Sequence, residues 1–264
     1  ITVAASAPTL YYYCTQHSNM GGQANTPVTN SFSNFSGSIQ SNISPNTTAG
    51  FSIVKWVATG SNATVGHGLG VAPSMIILKT TSTTKNWVVG HDGIGWGKNL
   101  WLNGADAANT SSTYWNNTAP TSSVFSVGTA GDTNDSGETI IAYCFADVQG
   151  YSKFGSYVGN GNADGTFVYL GFKPAFVMIK GTYGDWWGMQ DNKRDIDNVV
   201  DKTIYANVSD AEYSGSNYYE DFLSNGFKIR TSHGGMNGSG NSYIYMAFAE
   251  NPFTSSAGTP VTAR

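Results

Sequence analysis

Alternation of apolar and polar positions is clearest in two segments that close two halves of the chain. In "SGETIIAYCFAD" (136–147), Ile141, Tyr143 and Phe145 fall on one face of an extended strand, and in "SGNSYIYMAFAE" (239–250) Ile244, Met246 and Phe248 do the same. A period of two predicts strands with this face in a core. "FSIVKWVATG" (51–60) and "KFGSYVGNG" (153–161) are also rich in β-branched and aromatic residues and end at glycines, so they read as strands too.

These segments form pairs. "GLGVAPSMIILK" (68–79) has an echo in "LGFKPAFVMIK" (170–180), where Gly70 and Gly171, Pro73 and Pro174, and Lys79 and Lys180 each stand 101 positions apart. Trp56 and Tyr157 keep that spacing. "NWVVGHD" and "DWWGMQD" sit at 99, Phe125 and Phe227 at 102, and the closing strands at 103, a drift expected from insertions in surface loops.

The expected fold is therefore all-β, with two homologous β-sandwich-like units from an internal duplication and little helix. The boundaries are an N-terminal lead-in at 1–50 packing on the first unit, a first β unit at 51–149, a second at 150–253 and an extended C-terminal tail at 254–264. The polar, breaker-rich tail is expected to run over the surface or to a neighbouring subunit. Phe32, Phe35 and Ile39 have helix-like spacing, but the Ser, Asn and Gly between them are weak helix formers. A short helix is expected at most within 210–226, where Asp210 could cap and Gly226 could end it.

Composition narrows the function classes. Charged residues make up 11% of the chain, against about 25% in an average domain. Fifteen Tyr, thirteen Phe and seven Trp with a net charge of −4 argue for a folded chain rather than a disordered one. There is no basic run to track a phosphate backbone, and no apolar stretch near the ~20 residues of a membrane-spanning helix. Nucleic-acid binding and membrane insertion are therefore not expected. The start "ITVAASAPTL" lacks an initiator Met and a leader pattern, which fits a piece or processed form of a longer chain.

Candidate chemistry is sparse, and no enzyme, cofactor or metal site is expected. The four histidines lack the i, i+4 spacing of a zinc motif. His91 adjoins Asp92 in "GHDG", but no G-x-S-x-G supplies a nucleophile, and the echo carries Met189 or Gln190 there, so a turn is favoured over a dyad. "GHGLG" reads as a turn, lacking the Lys-Ser/Thr and helix of a phosphate loop. Cys144, inside a strand, reads as a small buried residue. Asp191, Asp195, Asp197 and Asp201 could wrap Ca²⁺, or form a solvated, self-paired loop with Lys193 and Arg194; the EF-hand pattern is absent.

Aromatics give the one binding hypothesis. Trp96, Trp101, Tyr114 and Trp115 stand among Gly, Asn, Ser and Thr, a mixture suited to stacking on sugar rings and bonding their hydroxyls. The alternative is that these rings are core or subunit-interface anchors.

The segments "TAGFSIV", "VGHGLGVAPSMIILK", "SGETIIAYCFADVQGYSKFGSYVGNG", "FVYLGFKPAFVMIK", "FLSNGFKIRTS" and "YIYMAFAENPF" resemble a domain family of unclear role that recurs in tail-fibre, spike and other virion proteins of marine tailed bacteriophages. The resemblance covers about 48–264. It implies an all-β structural module exposed on the phage particle, homo-oligomeric (a trimer by analogy with fibres), contacting other virion proteins and binding a host-surface receptor or glycan. It carries over no catalytic residues. The alternatives are a purely structural capsid decoration, head fibre or tail component, and a polysaccharide depolymerase.

Overall fold

A computed structural model describes residues 31–250 and, ahead of them, the backbone of two strands, β1 (Leu10–Tyr13) and β2 (Gly21–Ala24), which pair with each other. The C-terminal tail expected at 254–264 and most of the segment before residue 31 lie outside the described residues.

The first lobe contains β3 (Phe32–Asn34), β4 (Ser41–Asn46), β5 (Phe51–Val57), β6 (Ala63–Gly66), β7 (Met75–Thr80), β8 (Trp87–His91), β9 (Lys98–Trp101), β10 (Asn109–Thr110), α1 (Ser112–Trp115), β11 (Val124–Val127), α2 (Gly131–Asn134) and β12 (Thr139–Phe145). Eight of its strands form one antiparallel sheet in the order β10-β9-β8-β7-β12-β5-β4-β3, and β11 pairs with β6 in a smaller one. The lead-in thus supplies two strands of the first sheet, β3 and β4.

The second lobe contains β13 (Ser152–Val158), β14 (Phe167–Tyr169), β15 (Pro174–Gly181), β16 (Trp187–Asp191), β17 (Lys202–Tyr205), β18 (Tyr213–Ser214), β19 (Glu220–Leu223), β20 (Gly226–Ile229), α3 (Gly234–Asn237) and β21 (Ser242–Ala249). Its large sheet runs β18-β17-β16-β15-β21-β13, the order of the first sheet without the two lead-in strands, and its small sheet is β14-β20-β19. The helix expected within 210–226 does not form. Only a 3₁₀ turn at Ser216–Tyr218 appears there, and Glu220–Leu223 is a strand whose Phe222 enters the core.

Each large sheet is an inner layer whose central strands are covered on both faces, while the outer strands expose one face, as at Val57 and Val158. Toward its own small sheet the first sheet turns Ile140, Ala142 and Cys144, with Trp56 and Leu78, into the first core. The second does so with Tyr243, Tyr245 and Ala247. The opposite faces meet between the lobes, where Met75, Ile77, Val89 and Leu100 pack with Phe154, Met178, Trp187, Ile244 and Met246. The expected core face of the closing strands lies in this shared core, and the face opposite it is a core face as well. Tyr143, Phe145, Ile244, Met246 and Phe248 line the seam between lobes, and the alternate residues form the lobe cores. In the central strands apolar side chains occupy both faces because neither faces water.

The sequence echo is structural. Gly70 and Gly171 adopt φ of 76° and 83°, a left-handed turn that glycine enters without a Cβ penalty. The chain then passes through the buried Pro73 and Pro174 into β7 and β15. At the far end each strand's lysine ties the following hairpin. Lys79 Nζ donates to the carbonyls of Thr80 and Lys85, both at 2.9 Å. Lys180 Nζ donates to the Asp185 carbonyl and, across the seam, to Ala105 O at 3.1 Å.

Candidate functional site

The four aromatics singled out in the sequence come together in two edge-to-face pairs, Trp96 with Trp115 at 5.2 Å and Trp101 with Tyr114 at 6.2 Å. All four pack on the first core. Ser111 caps α1 by accepting from Thr113 N–H, and that single turn drives Trp115 inward to 0% exposure. Trp96 is 6% exposed, its indole N–H donating to Asp92 Oδ1 at 2.6 Å. Sugar stacking needs an open ring face, and Trp96 and Trp115 have none; Trp101 and Tyr114 are half-buried at the edge of the same cluster. The intervening Gly, Asn, Ser and Thr belong to turns that bury the rings.

The acidic run is tied to its own neighbours. Asp191 pairs with Arg194, whose Nε reaches Glu212 at 3.0 Å. Asp195 pairs with Lys202 at 3.1 Å and also accepts from the Asp201 and Lys202 N–H groups. Asp201 accepts from Ser214 Oγ at 3.0 Å, and Asp197 is exposed. Among the described residues, no three His, Cys, Asp or Glu side chains are grouped to hold a metal ion.

Three histidines share one local geometry, in which Nδ1 accepts the N–H two residues ahead: Leu69 for His67, Gly93 for His91 and Gly235 for His233. Nδ1 is therefore the bare nitrogen, and Nε2–H of His67 and His91 donates to the carbonyls of Thr121 and Tyr245, at 3.1 and 3.2 Å. His91 is fully buried, and burial lowers its pKa to about 4. Asp92, its neighbour, is engaged by Trp96. Burial likewise pushes the Cys144 thiol far up and lowers Lys180 to about 8. These are pinned, neutral or carbonyl-bound groups that fasten turns and lobes.

The arrangement best suited to a ligand lies at one end of the seam, where no sequence motif marked it. An open cleft of about 260 Å³ is lined by Phe51 and Phe145 from the first lobe and by Tyr151, Phe154 and Phe248 from the second, with Asn46, Ala49, Gly50 and Ser152 completing it. The rings form one cluster: Phe51–Phe145 at 4.9 Å, Phe145–Phe154 at 5.6 Å, Tyr151–Phe248 at 5.8 Å and Phe154–Phe248 at 5.9 Å. Gly50 shapes the rim. Its φ is 62°, and a Cβ there would stand 2.6 Å from Val148 Cγ2 and 2.7 Å from Ala146 O. Phe51, Phe145, Tyr151 and Phe248 are only half-buried, so the floor is apolar and reachable. The exposed Asn46 supplies a polar group at the rim.

Such a cleft suits a small ring-shaped group held by stacking and oriented by a few polar contacts. No Asp, Glu, His, Lys or Cys is among the residues that line it. The matching Phe-Ala-acid endings place Phe145 and Phe248 at equivalent strand ends, but only the packing of the sheets brings them together.

Comparison with known proteins found no curated protein and no solved structure that matches this chain. A family model described as a domain of unknown function, DUF7483, matches residues 23–252. With both lobes and the seam cleft inside that match, the chain belongs to the DUF7483 family.

Proposed function

We propose that this chain is a structural module of a tailed-phage virion, displayed on the particle as a homo-oligomer, and that it attaches to a host-surface receptor through a glycan. The observation that carries the receptor reading is the aromatic cleft at the seam. It combines five rings with the amide of Asn46 on a rigid two-lobe support. Composition agrees, since 11% charge with abundant aromatics suits an exposed, adhesive β-protein. The shared strand order of the two lobes supports reading them as copies of one duplicated unit. A purely structural virion role is the second reading, favoured by Phe35 and Ile196, which are 72% and 80% exposed and suited to burial between subunits.

Binding of the purified chain to host cells and to a glycan array tests the proposal, with Tyr151→Ala and Asn46→Ala as variants. A loss of binding of about tenfold or more, with thermal unfolding unchanged, supports attachment through the cleft. Binding that both variants leave intact moves the site elsewhere. Failure of the wild-type chain to bind any cell or glycan sinks the attachment reading.

A further inference from the structure

The two lobes differ at one edge. In the first lobe β4 pairs antiparallel with β5, and Ile39 bridges in parallel to Val65 of β6, its N–H donating to Thr64 O at 3.0 Å. Ile39 and Ile43 enter the first core from this covering segment. In the second lobe the strands in the same positions, β13 and β14, are the last of their sheets, with no strand beyond them among the described residues.

Backbone groups of β13 point out of the sheet. Phe154 N–H donates to Asp147 Oδ1 at 3.1 Å, and the Val158 carbonyl accepts from Thr166 Oγ1 at 2.8 Å, so neither bonds β21. Antiparallel strands alternate, and Ser156, between these two, therefore also turns its N–H and carbonyl outward. Beside it Val158, Phe167 and Tyr169 are 56%, 43% and 60% exposed. The core beneath is less well sealed than in the first lobe, with Tyr157 8% exposed against 2% for Trp56, and Val168 6% against 0% for Val65.

We infer that β13 is a docking edge for a second copy of this chain, the two β13 strands pairing antiparallel about a two-fold axis at Ser156. The first lobe shows that a sheet edge in this position accepts an antiparallel strand. The edge is also self-complementary, as a two-fold interface requires. With Ser156 on the axis, the two Ser156 residues exchange N–H···O bonds, Gly155 faces Tyr157 of the second copy and Phe154 faces its Val158, where pairing displaces the side chains of Asp147 and Thr166 from the Phe154 N–H and the Val158 carbonyl. That five-residue ladder, Phe154 to Val158, carries no charge, so no like charges meet across the axis.

Lys153, the residue that would oppose pairing, falls outside the ladder. Its ammonium stays on Tyr169, donating to the carbonyl at 3.0 Å and lying 5.5 Å from the ring centre. Lysine at this end limits the edge to one register instead of open-ended addition. Pairing covers Val158 and sets Phe167 and Tyr169 at the rim of the interface. The inference is independent of the receptor reading and survives its failure.

The test is the mass of the full chain in solution, by light scattering and sedimentation from low micromolar to several hundred micromolar concentration. The expected mass is twice that of the chain. Ser156→Pro removes an N–H that has no partner among the described residues, and edge positions tolerate proline; it is expected to give a monomer with an unchanged unfolding temperature. Val158→Lys, at an exposed position, is expected to do the same and decides the matter if the proline variant does not fold. A monomer throughout, a trimer, or a dimer that neither variant disrupts overturns the inference. Loss of the dimer on deleting residues 1–30, with both edge variants still dimeric, assigns the contact to the N-terminal hairpin and also overturns it.

Discussion

The indole N–H of Trp187, in β16, donates to the main-chain carbonyl of Trp101, in β9, at 2.9 Å, and this bond crosses from one lobe to the other. Around it the seam is apolar, and Ala108 N–H donates to Thr182 O at 2.8 Å beside it. Trp187 is 1% exposed. Trp187→Ala is expected to destabilise the chain by about 3–5 kcal/mol, the range for an emptied core aromatic. Trp187→Phe keeps most of the volume and removes one of two donors to the Trp101 carbonyl, the Gly104 N–H remaining at 3.1 Å, so it should cost only about 1 kcal/mol. Because the lobes share this core, urea unfolding followed by tryptophan fluorescence and by circular dichroism should give coincident transitions. Two separated transitions in the wild-type chain would show that the seam does not couple the lobes.

Asn134 and Asn237 perform the same task in the two lobes. Oδ1 of Asn134 accepts Thr59 N–H, while Nδ2 donates to the carbonyls of Ser61 and Gly128. Oδ1 of Asn237 accepts Asn160 N–H, and Nδ2 donates to Asn162 and Thr231. Both carboxamides are fully buried, so alanine removes the acceptor of one N–H and the donor to two carbonyls, of which, among the described residues, Ser61 O alone keeps a second donor, Thr59 Oγ1 at 3.4 Å. Each substitution is expected to cost about 2–4 kcal/mol. Equal losses in chemical denaturation fit equivalent roles, and a loss below about 1 kcal/mol at either site would mean that water replaces the amide there.

Much of this architecture was legible because the echo preserves turn residues. The Gly70 and Gly171 turns and the Lys79 and Lys180 ties recur at one spacing, and each performs the same local task. The orientation of the closing strands was not legible. Ile141, Tyr143 and Phe145 alternate as a core face should, but Ile140, Ala142 and Cys144 are apolar too, and periodicity cannot rank two buried faces. Whether Trp96 and Trp115 stack on a ligand or pack in the core was not legible for a related reason. Polar turn residues around an aromatic look the same in sequence whether the ring points outward or into the core. The cleft was illegible because Phe51, Phe145, Tyr151, Phe154 and Phe248 belong to four strands and a turn from both lobes.

His91 makes stability depend on pH on the acid side. Its pKa falls from 6.5 unfolded to about 4 folded through burial. Above pH 6.5 both states are neutral and the group has no effect; as pH drops toward 4, only the unfolded state takes up the proton, and stability is lost. The full loss is on the order of 3 kcal/mol. His91→Gln, whose amide can replace the donor to Tyr245 O, should flatten the profile between about pH 6.5 and 4. An unchanged slope in denaturant titrations across that window refutes the assignment.

Glu220 works in the opposite direction. It is 0% exposed, both carboxylate oxygens lack a hydrogen-bond partner among the described residues, and burial raises its pKa well above 4.5, with the nearby Asp221 charge adding to the shift. The folded state therefore keeps the proton to higher pH than the unfolded chain does. Its contribution is fully present below pH 4.5 and is lost as rising pH ionises the unfolded chain, by at most about 1.4 kcal/mol per pH unit. Glu220→Gln keeps the shape without the proton. The variant should match wild type near pH 4 and become progressively more stable than it toward pH 8, as read by thermal unfolding at matched ionic strength. A gap that stays constant with pH would place a charged partner beside Glu220 and remove this account of the residue.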